Sequence, residues 1–389
     1  MNHIDKTIRP AARNLGTYSN ALDDATLNNI LAASGEMNFV DKVAYPHLAT
    51  LEGEVVQFLL DKLHATSEAS GFTTTGSSEA IILALAYHQR NFLDANPKSQ
   101  GQTLNLVVSE AHHKTFEKYA RLFGVELRLA SLGGNLAVNV DSMRDLIDKN
   151  TFCLIGIAGS TELGKMDNIM AIDLLAQEYK LPVHVDAAIG GYVFPFLASQ
   201  YQWDFLLTSV QSINISGHKY GLCLPGIGFL LIRKSSVMPK DYFENSEISY
   251  LSGGSTTDYA LSCSRSAVFI VNAHHNLKLY GESGYTTIAN QNQANARYFA
   301  QGLSEITGIN DVIQGDAPVV NFASDDILEL STSLSSKGWI QSPHLINALG
   351  QRYIRIVIRK HITHKTLKTL LDEIRDFYHQ KRIGKSNPA

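Results

Sequence analysis

The segment 212–221, SINISGHKYG, places Lys219 directly after a strand-like run and among small and polar residues. A lysine amine on a flexible stem condenses with an aldehyde, such as that of pyridoxal phosphate, to form a Schiff base. Taken alone, a lysine is more often a solvated surface residue. Carbonyl chemistry at Lys219 is therefore predicted only if the chain also supplies the other parts of such a site.

A second candidate segment, HVDAAIG at 184–190, puts Asp186 at the carboxyl end of a strand-like run. Open α/β sheets form their ligand crevice at that end. A carboxylate beside a pyridine nitrogen favours the protonated ring, which makes the ring an electron sink. Ala187 and Ala188 are small enough for a flat ring to lie against the backbone. The alternative role for Asp186 is to cap the turn that follows the strand.

A third segment, TTTGSSEA at 73–80, leads into a strongly helical run. Free backbone N–H groups, the hydroxyls of Ser77 and Ser78, and the positive end of the helix dipole together suit a phosphate group. An ordinary serine N-cap is the alternative interpretation. The co-occurrence of this loop with Asp186 and Lys219, in this order, predicts a pyridoxal phosphate site.

Competing motifs are weaker. GSTELGKM at 159–166 nearly matches a P-loop, but Met166 stands where a hydroxyl must bind magnesium. His361 and His364 have no third ligand beside them, and Cys153, Cys223 and Cys263 form no CxxC pair. We therefore expect no metal site and no disulfide framework.

The elements that must position these residues alternate between helix-like and strand-like segments from about 78 to 235. Four nearly continuous apolar runs are typical of buried parallel strands; they are Leu104–Val108, Phe152–Ala158, Val183–Val185 and Phe229–Ile232. Three stretches between them have helical patterns: 78–91, 141–149 with Asp141 as its cap, and 168–180. This rhythm predicts an α/β layered fold.

The chain divides into three expected parts: an N-terminal arm at 1–45, a large cofactor-binding domain at 46–285 and a small C-terminal α/β domain at 286–389. The last helical pattern carries an apolar stripe on one face. The arm fits neither the α/β rhythm nor this pattern, and we expect it to wrap another part of the molecule or a partner subunit.

Composition excludes several classes of protein. The chain has 389 residues, 44% of them hydrophobic and 18% charged, with a net charge of -4 and no long runs of one sign. This balance does not favour a nucleic-acid or acidic-membrane partner. No apolar stretch approaches the roughly 20 residues that a bilayer requires. We expect a soluble protein of the reducing cytoplasm.

At this point the chain resembles the group II pyridoxal-phosphate-dependent amino-acid decarboxylases, and it is most similar to the bacterial glutamate decarboxylases. The motifs SGHK, HVDAA and GSSEA carry the resemblance, which covers about 15–380. It implies fold type I, the aspartate aminotransferase architecture, with a large mostly parallel sheet domain and a small C-terminal domain. It also implies a homodimer with the active site at the interface.

The resemblance assigns roles residue by residue. Lys219 would carry the cofactor, Asp186 would face the pyridine nitrogen, and Ala188 and His113 would pack on the two ring faces. The remaining cofactor contacts implied by the resemblance are Ser77, Ser78, Ser216 and His218 at the phosphate, Thr161 beside the ring hydroxyl, and Ser264 reaching the phosphate across the dimer interface.

The same resemblance implies which residues bind the substrate. Arg355, in YIRIVIRKHIT, matches the arginine that holds the substrate's α-carboxylate, which suits a planar bidentate guanidinium. Thr17 and Asp41 match the positions that recognise the side-chain carboxylate. An aspartate that binds a carboxylate must share a proton with it, so this pairing predicts better binding at acid pH.

The expected reaction is the decarboxylation of L-glutamate to 4-aminobutyrate and CO2. Tyr250, in the Gly/Ser-rich stretch SYLSGGSTT, is the candidate proton donor at Cα, with His218 as the alternative. His113 stands where bacterial glutamate decarboxylases have glutamine, and Tyr18 follows Thr17 where phenylalanine is expected. Aspartate, cysteine sulfinate, tyrosine or a pathway-specific amino acid therefore remain alternative substrates. Lyase or oxidative deamination chemistry, or cofactor binding without turnover, are alternative functions on the same scaffold.

Overall fold

The computed structural model of the protein describes residues 13–19, 24–198, 201–234 and 258–386. Within these residues, seven strands form one sheet in the order β1-β7-β6-β5-β4-β2-β3. The strands are β1 (Ser70–Thr74), β2 (Asn105–Ser109), β3 (Glu126–Ala130), β4 (Thr151–Ile157), β5 (Val183–Asp186), β6 (Val210–Ser216) and β7 (Gly228–Ile232). Strands β3, β2, β4, β5 and β6 are mutually parallel.

Helices cover both faces of this sheet, and others belong to the C-terminal region. Their bounds are α1 (Asp24–Ser34), α2 (Pro46–Lys62), α3 (Ser77–Ala95), α4 (Lys114–Phe123), α5 (Val140–Asp145), α6 (Ile169–Tyr179), α7 (Val268–Ser304), α8 (Ile327–Ser336) and α9 (His364–Ser386). The three helical patterns of the central region correspond to α3, α5 and α6. Helix α5 is capped by Asn139, whose side chain accepts from the N–H groups of Asp141 and Ser142. The prediction that Asp141 caps this helix is therefore wrong.

A second sheet, in the order β10-β11-β9-β8, is antiparallel throughout. Its strands are β8 (Asp311–Gln314), β9 (Val319–Ala323), β10 (Pro343–Ile346) and β11 (Gln351–Val357). Helices α8 and α9 pack with this sheet around a core of their own, which includes Phe322, Ile356 and Leu371. This is the small α/β unit expected at the C-terminal end.

Strand β7 corrects one sequence prediction. The run Phe229–Ile232 was expected to be a parallel strand, but β7 pairs antiparallel with both β6 and β1. A parallel neighbour needs a crossover connection that usually contains a helix. The connection 217–227 contains no helix, so the chain turns back directly and β7 runs the other way. This same connection carries Lys219.

Helix α7 spans the two units. Its backbone departs from helical geometry at Gly281, where φ is 52° and ψ is -160°. Residues of α7 up to Ala289 belong to the core of the large sheet, whereas those from Ala296 onward belong to the small core. The helix therefore passes from one hydrophobic core to the other.

Candidate active site

One cavity lies at the carboxyl edge of the large sheet. It has a volume of about 270 Å³. Parallel strands bring the residues that follow their carboxyl ends to a common edge, and β1, β2, β4, β5 and β6 all end here. The predicted site residues that line the cavity are Ser77, Ser78, His113, Thr161, Asp186, Ala188, Ser216, His218 and Lys219.

The start of helix α3 forms one end of this cavity. The N-cap residue is Gly76, with φ 143°, and no side chain caps the helix. A Cβ atom on Gly228 of β7 would lie 2.5 Å from the backbone nitrogen of Ser77, so only glycine permits this close approach. Uncapped backbone N–H groups at a helix start, flanked by two serine hydroxyls, suit a phosphate.

Two buried polar atoms in the cavity wall have no hydrogen-bond partner within the described parts of the chain. They are Ser216 Oγ and His218 Nδ1. A buried polar group without a partner is costly, and such groups in native proteins call for a ligand or an ion. The cavity is therefore built to receive a polar group at this point.

Asp186 is held in place at the end of β5. Its Oδ1 accepts from Asn214 Nδ2 at 2.8 Å and from the backbone N–H of Ala188 at 3.1 Å. The side chain is 5% exposed. Two donors on Oδ1 fix the orientation of this carboxylate in the cavity wall.

The amine of Lys219 is buried in the protein and largely shielded from solvent. Its pKa is lowered to about 8, mainly by desolvation and to a smaller extent by the positive charge of Arg355, against the opposing attraction of Asp186. A lowered pKa increases the fraction of neutral amine, which is the nucleophile. The Nζ atom lies 5.0 Å from the centre of the Tyr18 ring.

Two histidines flank this lysine in the cavity. His113 is the N-cap of α4, where its Nδ1 accepts from the backbone N–H of Thr115 at 3.3 Å. Desolvation lowers the pKa of His113, and desolvation followed by the charge of Lys219 lowers the pKa of His218. Both shifts favour the neutral imidazole, which is the form that packs on an aromatic ring without repelling its cationic nitrogen.

Arg355 approaches the same cavity from β11. Its Nη1 donates to Thr161 O at 2.8 Å and its Nη2 donates to Gly16 O at 3.0 Å. The guanidinium carbon lies 5.4 Å from the centre of the Tyr18 ring. Nε is buried and has no partner within the described residues. Backbone oxygens therefore hold the guanidinium in one orientation.

The segment 13–19 is fastened to the small unit. Leu15 N donates to Ile340 O and Leu15 O accepts from Val357 N. Arg359, 1% exposed, donates from Nε to Thr17 O at 3.0 Å and from Nη2 to Asn14 O. The hydroxyl of Tyr18 donates to Thr161 O at 2.7 Å, and desolvation raises the pKa of Tyr18 to about 12.

Four predicted site residues of the described chain do not line this cavity: Arg355, Ser264, Asp41 and Thr17. Ser264 lines a neighbouring cavity of about 220 Å³, where its Oγ accepts from Asn38 Nδ2 at 3.1 Å. The carboxylate of Asp41 accepts from the backbone N–H of Ala44 at 3.0 Å. Thr17 Oγ1 accepts from the backbone N–H of Ser19 at 3.1 Å. Tyr250 lies outside the described residues.

Sequence reasoning missed three residues of the site. Tyr18 was noted only as a departure from a family pattern, and neither Asn214 nor Arg359 was selected. The signal for Asn214 was present, because polar side chains alternate with apolar ones in SINIS, inside a strand that is otherwise buried. Arg359 and Tyr18 carry no local signal, since their contacts join segments more than 140 residues apart.

The sheet order and the assembled cavity are those of an α/β protein whose cavity suits a phosphorylated ring. A model of the pyridoxal-dependent decarboxylase conserved domain matches residues 9–323. The chain therefore belongs to the pyridoxal-dependent decarboxylase family, and its cofactor is pyridoxal phosphate.

Known relatives agree with this assignment. The chain is 33% identical over 351 residues to the probable glutamate decarboxylase gamma of Listeria monocytogenes, covering 85% of this chain and 74% of that protein. It is 30% identical over 384 residues to the glutamate decarboxylase of Solanum lycopersicum, covering 93% and 76% of the two chains.

Solved structures show the same fold. The glutamate decarboxylase of Lactobacillus brevis superposes with a TM-score of 0.87 at 29% identity, covering 95% of this chain and 88% of that one. A sphingosine-1-phosphate lyase from Burkholderia pseudomallei has a TM-score of 0.82 at 23% identity, covering 97% and 90%. The fold is that of the fold type I pyridoxal phosphate enzymes, as expected from the sequence.

The cavity residues fit this cofactor. The uncapped start of α3 and the unpartnered Ser216 Oγ are placed for a phosphate, while Asp186 is placed for a ring nitrogen. In the described parts of the chain, no three His, Cys, Asp or Glu side chains are arranged to hold a metal ion. No helix of the described chain is both long and apolar enough to cross a membrane.

Proposed function

We propose that this enzyme decarboxylates L-glutamate to 4-aminobutyrate and CO2. The main support is that one cavity brings together Lys219, Asp186 and the start of α3. The Nζ atom of Lys219 and the guanidinium carbon of Arg355 lie 5.0 Å and 5.4 Å from the centre of the Tyr18 ring. The identity to glutamate decarboxylases over most of the chain supports glutamate as the substrate.

In this proposal the large sheet holds the cofactor. All of the following residues line the cavity. Lys219 would hold the cofactor, and the first turn of α3 with Ser77, Ser78, Ser216 and His218 would bind its phosphate. Thr161, His113 and Ala188 would contact its ring. When bound, pyridoxal phosphate supplies an electron sink for the electron pair left at Cα when CO2 departs. Asp186, buried and held by two donors, would keep a proton on the ring nitrogen, because a carboxylate beside that nitrogen favours the protonated ring.

Arg355 would bind the α-carboxylate of the substrate. Its guanidinium is already anchored by Thr161 O and Gly16 O, so little side-chain entropy remains to be lost when a carboxylate binds. The Nε–H group and the second hydrogen on a terminal nitrogen form the fork that pairs with a carboxylate. This anchoring would set the direction in which the departing carboxylate points.

The side-chain carboxylate of glutamate is assigned to Thr17 and Asp41. In one chain Thr17 belongs to the segment beside Arg359, whereas Asp41 lies near Asn38, the residue that contacts Ser264. We therefore place Asp41 and Ser264 at the interface of a homodimer, where each would serve the partner's cavity. Asp41 and a substrate carboxylate cannot both be ionised at contact, so binding would improve as the pH falls.

The proton returned to Cα would come from Tyr250, with His218 as the alternative donor. His218 lines the cavity, but desolvation lowers its pKa and favours the neutral imidazole, which is a weaker proton donor than the imidazolium. Replacing Tyr250 by Phe would slow product formation without changing the cofactor absorbance, and unchanged turnover would reject this donor.

Two further assignments complete the proposal. The enzyme would act as a homodimer, because Ser264 faces a cavity adjacent to the phosphate end, with Thr75 lining both cavities. A reducing cytoplasm suits the three free cysteines, of which Cys153 and Cys223 are buried. Analytical ultracentrifugation of the holoenzyme would test the dimer.

Proton NMR in deuterated buffer tests the reaction. The holoenzyme is supplied with glutamate, aspartate, cysteine sulfinate, tyrosine and diaminobutyrate together. We expect 4-aminobutyrate with one deuterium next to nitrogen, and no signal from a Lys219→Ala control. A different amine would overturn glutamate and the Thr17–Asp41 assignment, while leaving the family unchanged. Oxygen uptake with an aldehyde product would instead identify oxidative deamination.

A further inference from the structure

A line of buried polar side chains leads from Asp186 into the protein, away from the cavity. Strands β5 and β6 are paired with His184 opposite Ser212 and Asp186 opposite Asn214. Alternate residues of a strand face the same side, so these four side chains share one face of the sheet. Helix α3 covers that face and contributes His88. All five residues are at most 5% exposed.

Hydrogen bonds join the five side chains without a gap. His88 Nε2 lies 2.7 Å from Ser212 Oγ, which lies 2.8 Å from His184 Nδ1. His184 Nε2 lies 2.9 Å from Asn214 Oδ1, and Asn214 Nδ2 lies 2.8 Å from Asp186 Oδ1.

The carboxylate of Asp186 determines the direction of every bond in this line. An ionised carboxylate only accepts, so the amide of Asn214 must present its NH2 group to Asp186 and its oxygen to His184. His184 Nε2 must therefore carry a hydrogen. If His184 is neutral, its Nδ1 accepts from the Ser212 hydroxyl, and the Ser212 oxygen then accepts from His88 Nε2–H.

Both imidazoles are neutral for a physical reason. Desolvation lowers the pKa of His184 to about 4, although Asp186 opposes the shift. Desolvation also lowers the pKa of His88 well below its usual value, and the neighbouring His184 adds to the effect. At neutral pH the line therefore has one consistent arrangement of hydrogens, with every donor pointing towards Asp186.

Helix α3 holds both ends of this arrangement. Its residue His88 is the first donor, and its first residue, Ser77, accepts the second N–H of the Asn214 amide. The amide is therefore fixed by two acceptors, Ser77 and Asp186, and by one donor, His184. A flip of the amide would place its oxygen against the carboxylate and its NH2 group against an N–H donor.

We propose that His88 and Ser212 are positioning residues for the reaction: they hold His184 as the Nε2–H tautomer, which fixes the amide of Asn214 so that it donates to Asp186. The carboxylate of Asp186 is thereby held in one orientation in the wall of the cofactor cavity. This inference rests on the proposed role of Asp186. Neither His88 nor Ser212 lines the cofactor cavity, so their effect on the reaction passes through Asp186.

The tautomers provide the first test. The holoenzyme is labelled with [15N]histidine, and long-range 1H–15N correlation spectra distinguish the two neutral tautomers from the imidazolium. We expect neutral Nε2–H forms for His88 and His184 at pH 7, assigned by the loss of one signal set in His88→Gln. An Nδ1–H tautomer or an imidazolium at His184 would overturn the proposal.

The ring nitrogen provides the second test. The holoenzyme is loaded with pyridoxal phosphate labelled with 15N in the ring, whose chemical shift reports protonation. In His88→Leu and Ser212→Ala we expect the 15N chemical shift of the ring nitrogen to move towards its unprotonated value. We also expect kcat to fall about tenfold, since a change of one unit in the pKa of the ring nitrogen can change its ratio of protonated to unprotonated form tenfold. KM should change less than twofold, because neither residue contacts substrate. His88→Gln retains an N–H donor and should restore most of both readouts.

Two controls separate the possible failures. His275→Leu replaces an exposed histidine of α7 and should leave the ring-nitrogen signal unchanged. Asp186→Asn should move that signal fully. If Asp186→Asn leaves it in place, the proposed role of Asp186 fails. If Asp186→Asn moves it but neither His88→Leu nor Ser212→Ala does, the positioning role fails and the proposed function stands.

Discussion

The cofactor half of the site lines the cavity and is made from strand ends of one sheet, whereas the half proposed for the substrate lies outside the cavity lining, where the segment 13–19 meets the small unit. In the first half, Asp186 and Lys219 lie on or next to paired strands. In the second half, Arg355 and Tyr18 are held by backbone oxygens of distant segments, Thr161 and Gly16. The cofactor half therefore depends on one rigid core, and the substrate half depends on contacts between units.

This difference predicts that mutations in the two halves separate into two classes. Changes in the sheet edge should alter the cofactor signal, and changes in the segment 13–19 or β11 should alter substrate binding at an unchanged cofactor signal. The four predictions below test that separation.

Replacement of Lys219 by Ala should have the largest effect. The variant loses the amine that holds the cofactor, but it keeps the uncapped start of α3 and Asp186. We expect kcat to fall by at least about a thousandfold, as for removal of other nucleophiles, while noncovalent cofactor binding persists. Turnover assays and cofactor fluorescence after dialysis measure the two effects. Activity above one per cent would contradict the assignment.

Replacement of Arg355 by Lys should affect only the substrate half. Lysine keeps the charge but loses the planar fork and the bonds to Thr161 O and Gly16 O. Loss of a charge-assisted hydrogen bond costs about 1.5–3 kcal/mol, so we expect kcat/KM to fall roughly ten- to a hundredfold. The absorbance spectrum of the holoenzyme should be unchanged. Arg352→Lys, at an exposed position of the same strand, is the control.

The rate at which apoenzyme takes up pyridoxal phosphate should depend on pH through Lys219. Its pKa is lowered to about 8, and only the neutral amine attacks the aldehyde. Below this value the rate should therefore rise about tenfold per pH unit, and above it the rate should level off. Stopped-flow absorbance measures the rate, with Nα-acetyl-lysine as a reference amine. A rate that still rises steeply between pH 9 and 10 would contradict the lowered pKa.

Replacement of Tyr18 by Phe should have the smallest effect. The ring remains between Lys219 and Arg355, but the hydrogen bond to Thr161 O is lost. A typical hydrogen bond contributes about 1 kcal/mol, so we expect about a fivefold fall in kcat/KM with glutamate. Tyr18→Leu removes the ring as well and should cost more. If Tyr18→Phe instead changes the cofactor spectrum, the two halves are coupled more tightly than the contacts indicate.

Much of the cofactor half was predictable from local sequence. SGHK, HVDAA and GSSEA each occupy a strand end or a helix start, and parallel strands bring such ends to one edge. The same reasoning failed for β7, because the direction of a strand depends on how its connection turns back. It also selected Asp141 in place of Asn139, since helix boundaries shift by a residue or two without changing the apolar pattern.

The family, the cofactor and most of the polar residues that line the cavity could be predicted from short segments, because their chemistry is local. The contacts by which Arg359 and Arg355 fasten the segment 13–19 arise only when the chain folds. The same is true of the hydrogen bond between His88 and Ser212. These contacts join residues more than 120 positions apart, and their geometry follows from how the helices and strands pack, which no local pattern records.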